Sequence, residues 1–154
     1  MDPRVGQSTG GGRAGAYGLR ALALMLGVFF IFNGLDKLTW FADSSILAQR
    51  LDGWLQDAAP STRWYLETVA APGVPLFARL VPLAELSTGL ALILGFWTRL
   101  VAAIAFVMVM NFHFGRGFIY EWEFLIDGTG LPVLGGLLAL SLGGSRLPFS
   151  MDRQ

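Results

Sequence analysis

A carboxylate, an ammonium group and an imidazole occupy places in this chain where apolar side chains are the rule. Glu85 sits in the run PLAELSTG, within an apolar stretch from 76 to 96, about nine residues or ~13 Å from the outer end of that stretch by helical rise. If lipid surrounds the stretch, an ionisable group there costs roughly 2.5–3.5 kcal/mol to insert, so each such group calls for a function or a partner. A lone carboxylate at that depth stays protonated, whereas a nearby cation keeps it charged. The plainer reading is a helix-to-helix hydrogen bond that fixes packing. Asn33 and Lys37 are four apart and share a helix face, which lets Lys37 reach back toward the same depth or snorkel to the interface as an anchor.

Asn111, His113 and Arg116 close another apolar stretch, and Glu123 and Asp127 open the next, again four apart. Two like charges so spaced on one helix face repel, so a cation such as Lys37 or Arg116 is expected between them, or one of them is protonated. Phe29, Phe30, Phe112, Phe114 and Trp122 could supply flat apolar walls. Donors beside such walls suit a quinone, whose carbonyls need one or two donors and whose ring needs apolar faces. In that assignment Glu85 and His113 handle protons, and Asn33, Lys37, Asn111, Arg116 and Asp127 line the cofactor site.

The elements that must position these groups follow from composition. Among 154 residues, 54% are hydrophobic and 14% charged, and mean hydropathy is +0.56. A soluble domain carries about 25% charged residues, so the apolar surface points to a lipid bilayer as solvent. The balance of 11 basic and 11 acidic residues offers no basic face for nucleic acid. Absence of cysteine excludes disulfides, thiolate metal sites and iron–sulfur clusters. With one histidine, the chain alone cannot hold a haem between two histidines. Redox chemistry would therefore need an organic cofactor or a partner subunit.

Four apolar segments, about 17–35, 76–96, 100–118 and 124–142, predict an all-α integral membrane four-helix bundle, up-down-up-down. The short WTR turn makes the second and third spans antiparallel neighbours. Gly128, Gly130, Pro132, Gly135 and Gly136 predict a kinked or unwound outer half of the fourth. Residues 1–16, rich in glycine, read as a flexible N-terminal tail, and 143–154 as a C-terminal one. Between the first two spans, Ile46, Leu47, Leu51, Trp54 and Leu55 recur at helical spacing, with Asp43 or Ser44 to cap the start and Pro60 after the end. Segment 43–70 is thus one or two short helices, lying in the membrane interface or packed as a lid over the bundle. The positive-inside rule places both termini in the cytoplasm, with Arg4, Arg13, Arg20, Arg99, Arg146 and Arg153 against Asp2 and Asp152 on that side.

FNGLDKL at the end of the first span, PLAELSTGLALILGFWTRL in the second and its turn, and a histidine near the outer end of the third resemble the DoxX family over about Gly18 to Leu142. The resemblance implies a multi-pass protein of a bacterial or archaeal inner (plasma) membrane, related to the DoxD subunit of thiosulfate:quinone oxidoreductase. The residues matching by position are Lys37, Glu85, Arg99 and His113. Two functions remain open: a subunit linked to quinone-dependent electron transfer, and a non-catalytic accessory subunit packed against other membrane subunits of a larger respiratory or photosynthetic complex. A transporter is disfavoured, since no internal inverted repeat is visible.

Overall fold

The computed structural model describes residues 9–151. Asp2, Arg4, Asp152 and Arg153, which enter the charge argument for the termini, lie outside them. Elements run in the order α1 (Thr9–Asp36), α2 (Thr39–Ala42), α3 (Ser45–Leu55), α4 (Pro60–Tyr65) continuing into a π turn (Leu66–Ala70), α5 (Val74–Leu94), α6 (Thr98–Gly115), a 3-10 turn (Phe118–Tyr120), α7 (Glu123–Ile126) and α8 (Leu131–Gly143). The described residues form helices and turns with no strand, and the chain is a multi-pass membrane protein. α1, α5 and α6 are each long and apolar enough to cross a bilayer.

Two boundaries differ from expectation. α1 starts at Thr9, so half of the expected tail is continuous with the first span. Extending an existing helix needs no new nucleus, which offsets part of the propensity cost of its glycines. The expected fourth span divides into α7 and α8, and α8 with 13 residues is ~20 Å long, short of a ~30 Å hydrocarbon core. Asp127 causes the break. Its carboxylate accepts hydrogen bonds from the Thr129 backbone N–H at 3.1 Å and hydroxyl at 2.6 Å, an alternative to helical bonding, and Pro132 then starts α8.

Around the bundle α1 lies between α5 and α8, and α6 between α8 and α5. Contact between α1 and α5 is far more extensive than contact between α5 and α6. Glycine explains the first: a Cβ on Gly89 would fall 2.7 Å from the Gly27 carbonyl, and one on Gly27 would fall 2.9 Å from the Gly89 carbonyl. Small residues let helices approach in lipid, where dispersion and hydrogen bonds replace the hydrophobic drive. At one end of the pair Arg20, buried, donates to the Leu92 and Ile93 carbonyls at 3.1 and 2.6 Å, satisfying groups that the end of α5 leaves open. Gly95 then reverses the chain in the left-handed conformation, φ 66°.

The main core gathers Ala23, Leu26, Phe30, Ala102, Ala105 and Leu137 between α1, α6 and α8. A second core joins Trp40, Leu47, Leu51 and Leu66 to Val74 and Ala78 of α5. The apolar face of α3 therefore turns onto the bundle, and of the two readings for segment 43–70 the packing matches the lid. Asp43 accepts the Ser45 N–H at 2.9 Å, and this bonding to Ser45 holds its carboxyl below the usual range; Ser44 makes no side-chain cap. The buried Thr62 hydroxyl fastens the lid to α6 by donating to the Phe114 carbonyl at 3.1 Å.

Replacing Gly89 by valine is expected to wedge α1 from α5 and to cost about 1–3 kcal/mol, the usual penalty of overpacking. Gly135, with nothing near its would-be Cβ, is the control: Gly135→Ala should be neutral or stabilising by up to ~1 kcal/mol. Thermal unfolding in detergent compares the two, and equal melting points would refute the glycine contact as a determinant of the pair.

Candidate functional site

The end of the α1–α5 pair opposite Arg20 carries the ionisable groups. Lys37 belongs to the turn that ends α1, and Glu85 sits midway along α5; they are 8% and 5% exposed. The Lys37 ammonium donates to both oxygens of Glu85, at 3.0 and 2.8 Å, and to the Asn33 carbonyl at 3.0 Å. An ammonium has three protons, so these bonds use all of them. Asn33 in turn donates to the Phe29 carbonyl at 2.9 Å, which leaves one of its amide hydrogens and its amide oxygen available. Trp40 lies beside the pair, 6.0 Å from the Lys37 nitrogen and 5.2 Å below the guanidinium of Arg50.

These groups wall a cavity of about 390 Å³ shared by α1, α3, α5 and α6. Asn33, Lys37, Glu85, His113 and Arg116 all line it, between the aromatic faces of Phe29, Phe30, Trp40, Trp54 and Phe112. His113 is 3% exposed, and its Nε2 meets the Thr129 carbonyl at 3.0 Å. A carbonyl only accepts, so Nε2 carries hydrogen. Nδ1 is occluded and has no hydrogen-bond partner among the described residues, and in the neutral ring it is a base with a free lone pair. Phe124 packs edge-on against the imidazole, with centroids 5.4 Å apart.

Several expectations are relocated. Asn111 is exposed and lines a neighbouring apolar cavity of about 200 Å³. Asp127 does not line the polar cavity; it acts through Thr129, whose carbonyl it sets against His113. Glu123 and Asp127 do not share a helix face, because Asp127 is extended beyond the end of α7, and no cation is needed between them. Arg116 stacks over Phe118 at 3.9 Å, while Lys37 is committed to Glu85. Phe114 packs against Tyr65 and Tyr120, and Trp122 is exposed, so neither walls the cavity. Arg99 stands at the opposite end, donating to the Ser141 carbonyl at 2.9 Å. Among the described residues no three histidine or acidic side chains converge as metal ligands.

Arg50, Trp40, Trp54 and Thr129 are site residues that motif reading passed over. Arg50 had a signal: it lies one turn from Ile46 and from Trp54, at the edge of the apolar stripe of α3, where a cation is carried to the same surface. Thr129 had none, because its contribution is a backbone carbonyl.

The family model for DoxX matches residues 18–114. The chain belongs to the DoxX family. It is also similar to the inner membrane protein YqjF of Escherichia coli (strain K12), with 28% identity over 138 residues, 88% of this chain and 90% of that protein. No solved structure matches it. The DoxX match contains Asn33, Lys37, Glu85 and His113 but ends before Thr129 and α8, so the turn that holds the imidazole lies beyond it.

Breaking a buried pair leaves an uncompensated charge, which costs about 3–5 kcal/mol, whereas replacing both partners by apolar groups is near neutral. Lys37→Met alone and Glu85→Leu alone are each expected to lower the unfolding midpoint in detergent, with Lys37→Met/Glu85→Leu restoring it. A double variant no more stable than the singles would show that the pair does not act as a unit. The Asp127 turn gives a pH prediction. Hydrogen bonds from Thr129 hold the Asp127 carboxyl below its ordinary value, so the turn's contribution is complete above the unfolded-state pKa and is lost as pH falls through the folded one. The Thr129 amide resonance should therefore stay in place through the ordinary aspartate range near 3.9 and move only at lower pH.

Proposed function

We propose that this DoxX protein is a quinone-binding subunit of the inner membrane, with both termini cytoplasmic and the cavity toward the outer leaflet. One observation carries the reading: a buried ion pair and a partnerless imidazole nitrogen share an aromatic-walled cavity of about 390 Å³, a size and lining suited to a flat ring with polar edges. A bound quinone supplies two-electron, two-proton chemistry, with the electrons drawn from a partner subunit. Phe29, Phe30 and Phe112 would flank the ring. Arg50, Arg116 and the remaining amide hydrogen of Asn33 are the available donors for its oxygens. Glu85 is the only carboxylate among the lining residues, so cations are in excess and favour negative charge on a bound oxygen.

His113 Nδ1, once a small movement of the ring uncovers it, is the group that would take up a proton and pass it to a ring oxygen as the ring is reduced. The Thr129 carbonyl holds the hydrogen on Nε2 and stabilises the imidazolium that results. Lys37 is saturated by Glu85 and Asn33 as it stands. A proton delivered to Glu85 weakens that pairing and releases an ammonium hydrogen, so the pair can pass a proton event on Glu85 to a donor facing the cavity. Asp127 positions the carbonyl that orients His113. DoxD-like participation in thiosulfate:quinone oxidoreduction is the specific form that the family suggests.

A second reading, an accessory subunit that docks on a larger membrane complex, is supported by α7, where Leu125 and Ile126 are exposed beside Trp122 at 70%. Quinone reduction by the complex purified with Glu85→Gln or His113→Ala separates the two. The redox reading expects turnover to fall at least ~10²-fold in each, the usual worth of a proton-transfer group. Unchanged turnover in both, together with loss of subunits from the complex on mutating Trp122 and Ile126, would replace it with the accessory role.

A further inference from the structure

The α5–α6 seam is where consecutive membrane-crossing helices fail to close on each other. A short turn joins the helices, yet along their length they touch only sparsely. Two apolar cavities follow the gap. One, of about 200 Å³, lies under the lid between Phe77, Val81 and Met108; the other, about 520 Å³, runs between Ala91, Leu94 and Ile104. Ala84 lines both, so they meet at its small side chain. From Phe77 to Leu94 the seam spans ~25 Å by helical rise, most of the ~30 Å hydrocarbon thickness. Leu80, Leu94 and Ile104 along it are exposed, which in this protein means exposed to lipid.

The upper cavity also adjoins the polar one. Trp54 of α3 and Phe112 of α6 line both, one from the lid and one from the bundle, and stand between them. A polar, aromatic-walled chamber thus lies next to an apolar groove that runs down the membrane, with two rings between them.

We propose that the seam binds the hydrocarbon tail of the quinone whose head the polar cavity takes, so that the ligand enters sideways from the bilayer by parting Trp54 from Phe112. This rests on the quinone reading above and adds to it a selectivity for tailed over tail-less rings. The seam itself needs no polar contact for that task. Small residues at Ala84 and Ala91 keep the groove open; Ala84 precedes Glu85 along α5, but neither alanine lines the polar cavity.

The test uses the full chain in lipid nanodiscs, titrated with two benzoquinones of identical ring substitution, one bearing a ten-carbon chain and one a methyl group in its place. Ala84→Phe and Ala91→Phe narrow the groove at its junction and in its lower half. Because lipid is as apolar as the groove, the tail gains packing contacts there rather than removal from water, and losing about 1.4 kcal/mol of such contact is worth tenfold in affinity. Both variants should therefore bind the long-chain quinone about tenfold more weakly, with methylquinone affinity within about twofold of the unaltered protein. That second affinity also reports that the polar site is still folded. Long-chain binding unchanged in both variants, or an equal loss for the two ligands, overturns the seam as the tail site while leaving the head site in place. If the unaltered protein binds neither quinone, the head-site reading falls and the tail proposal with it.

Discussion

The charge pair between Lys37 and Glu85 is the constraint around which the rest of this membrane protein is arranged. In a hydrocarbon medium neither group is tolerable alone, and the pair forms only if α1 and α5 run close enough for the ammonium to reach both carboxylate oxygens. Gly27 and Gly89 provide that closeness midway, and Arg20 fixes the far end by capping the last carbonyls of α5. Two buried cations on one helix thus have different tasks: Arg20 closes backbone groups, and Lys37 neutralises a carboxylate next to a cavity.

Closeness on one side of the bundle goes with a gap on the other. α1 is drawn onto α5, and α6 packs on α8, which leaves α5 and α6 as neighbours joined by a turn but separated along their length. The lid made of α2, α3 and α4 bridges that separation at the site's end. Its apolar face covers the first turns of α5, and its edge contributes Arg50 and Trp54 to the cavity. The lid is therefore part of the site, because without it the cavity would lack Arg50 and the rings of Trp40 and Trp54.

His113 shows how a backbone defect serves a side chain. A regular fourth helix would bond its own carbonyls internally and offer none to the imidazole. Asp127 diverts the chain into a turn, the Thr129 carbonyl is freed, and that carbonyl fixes which ring nitrogen holds the hydrogen. The shortness of α8 is the structural consequence. Irregular backbone beside membrane-crossing helices needs protein or a polar cavity to cover it, and here Thr129 borders the cavity.

The sequence by itself determined the helical membrane class, the approximate bounds of α5 and α6 and the end of α1, the helix of the lid, and the suspicion attached to Glu85, Lys37 and His113. Each follows from a local rule: the length of an apolar run, the spacing of an apolar stripe, or the cost of an ionisable group in lipid. Tertiary structure alone decided that Lys37 answers Glu85, that α1 rather than α6 is the close neighbour of α5, and that Asn111 faces a different cavity from His113. It also decided that Asp127 acts through a carbonyl. Those outcomes depend on the azimuth of each helix and on backbone groups every residue possesses, and neither leaves a mark in residue type or spacing.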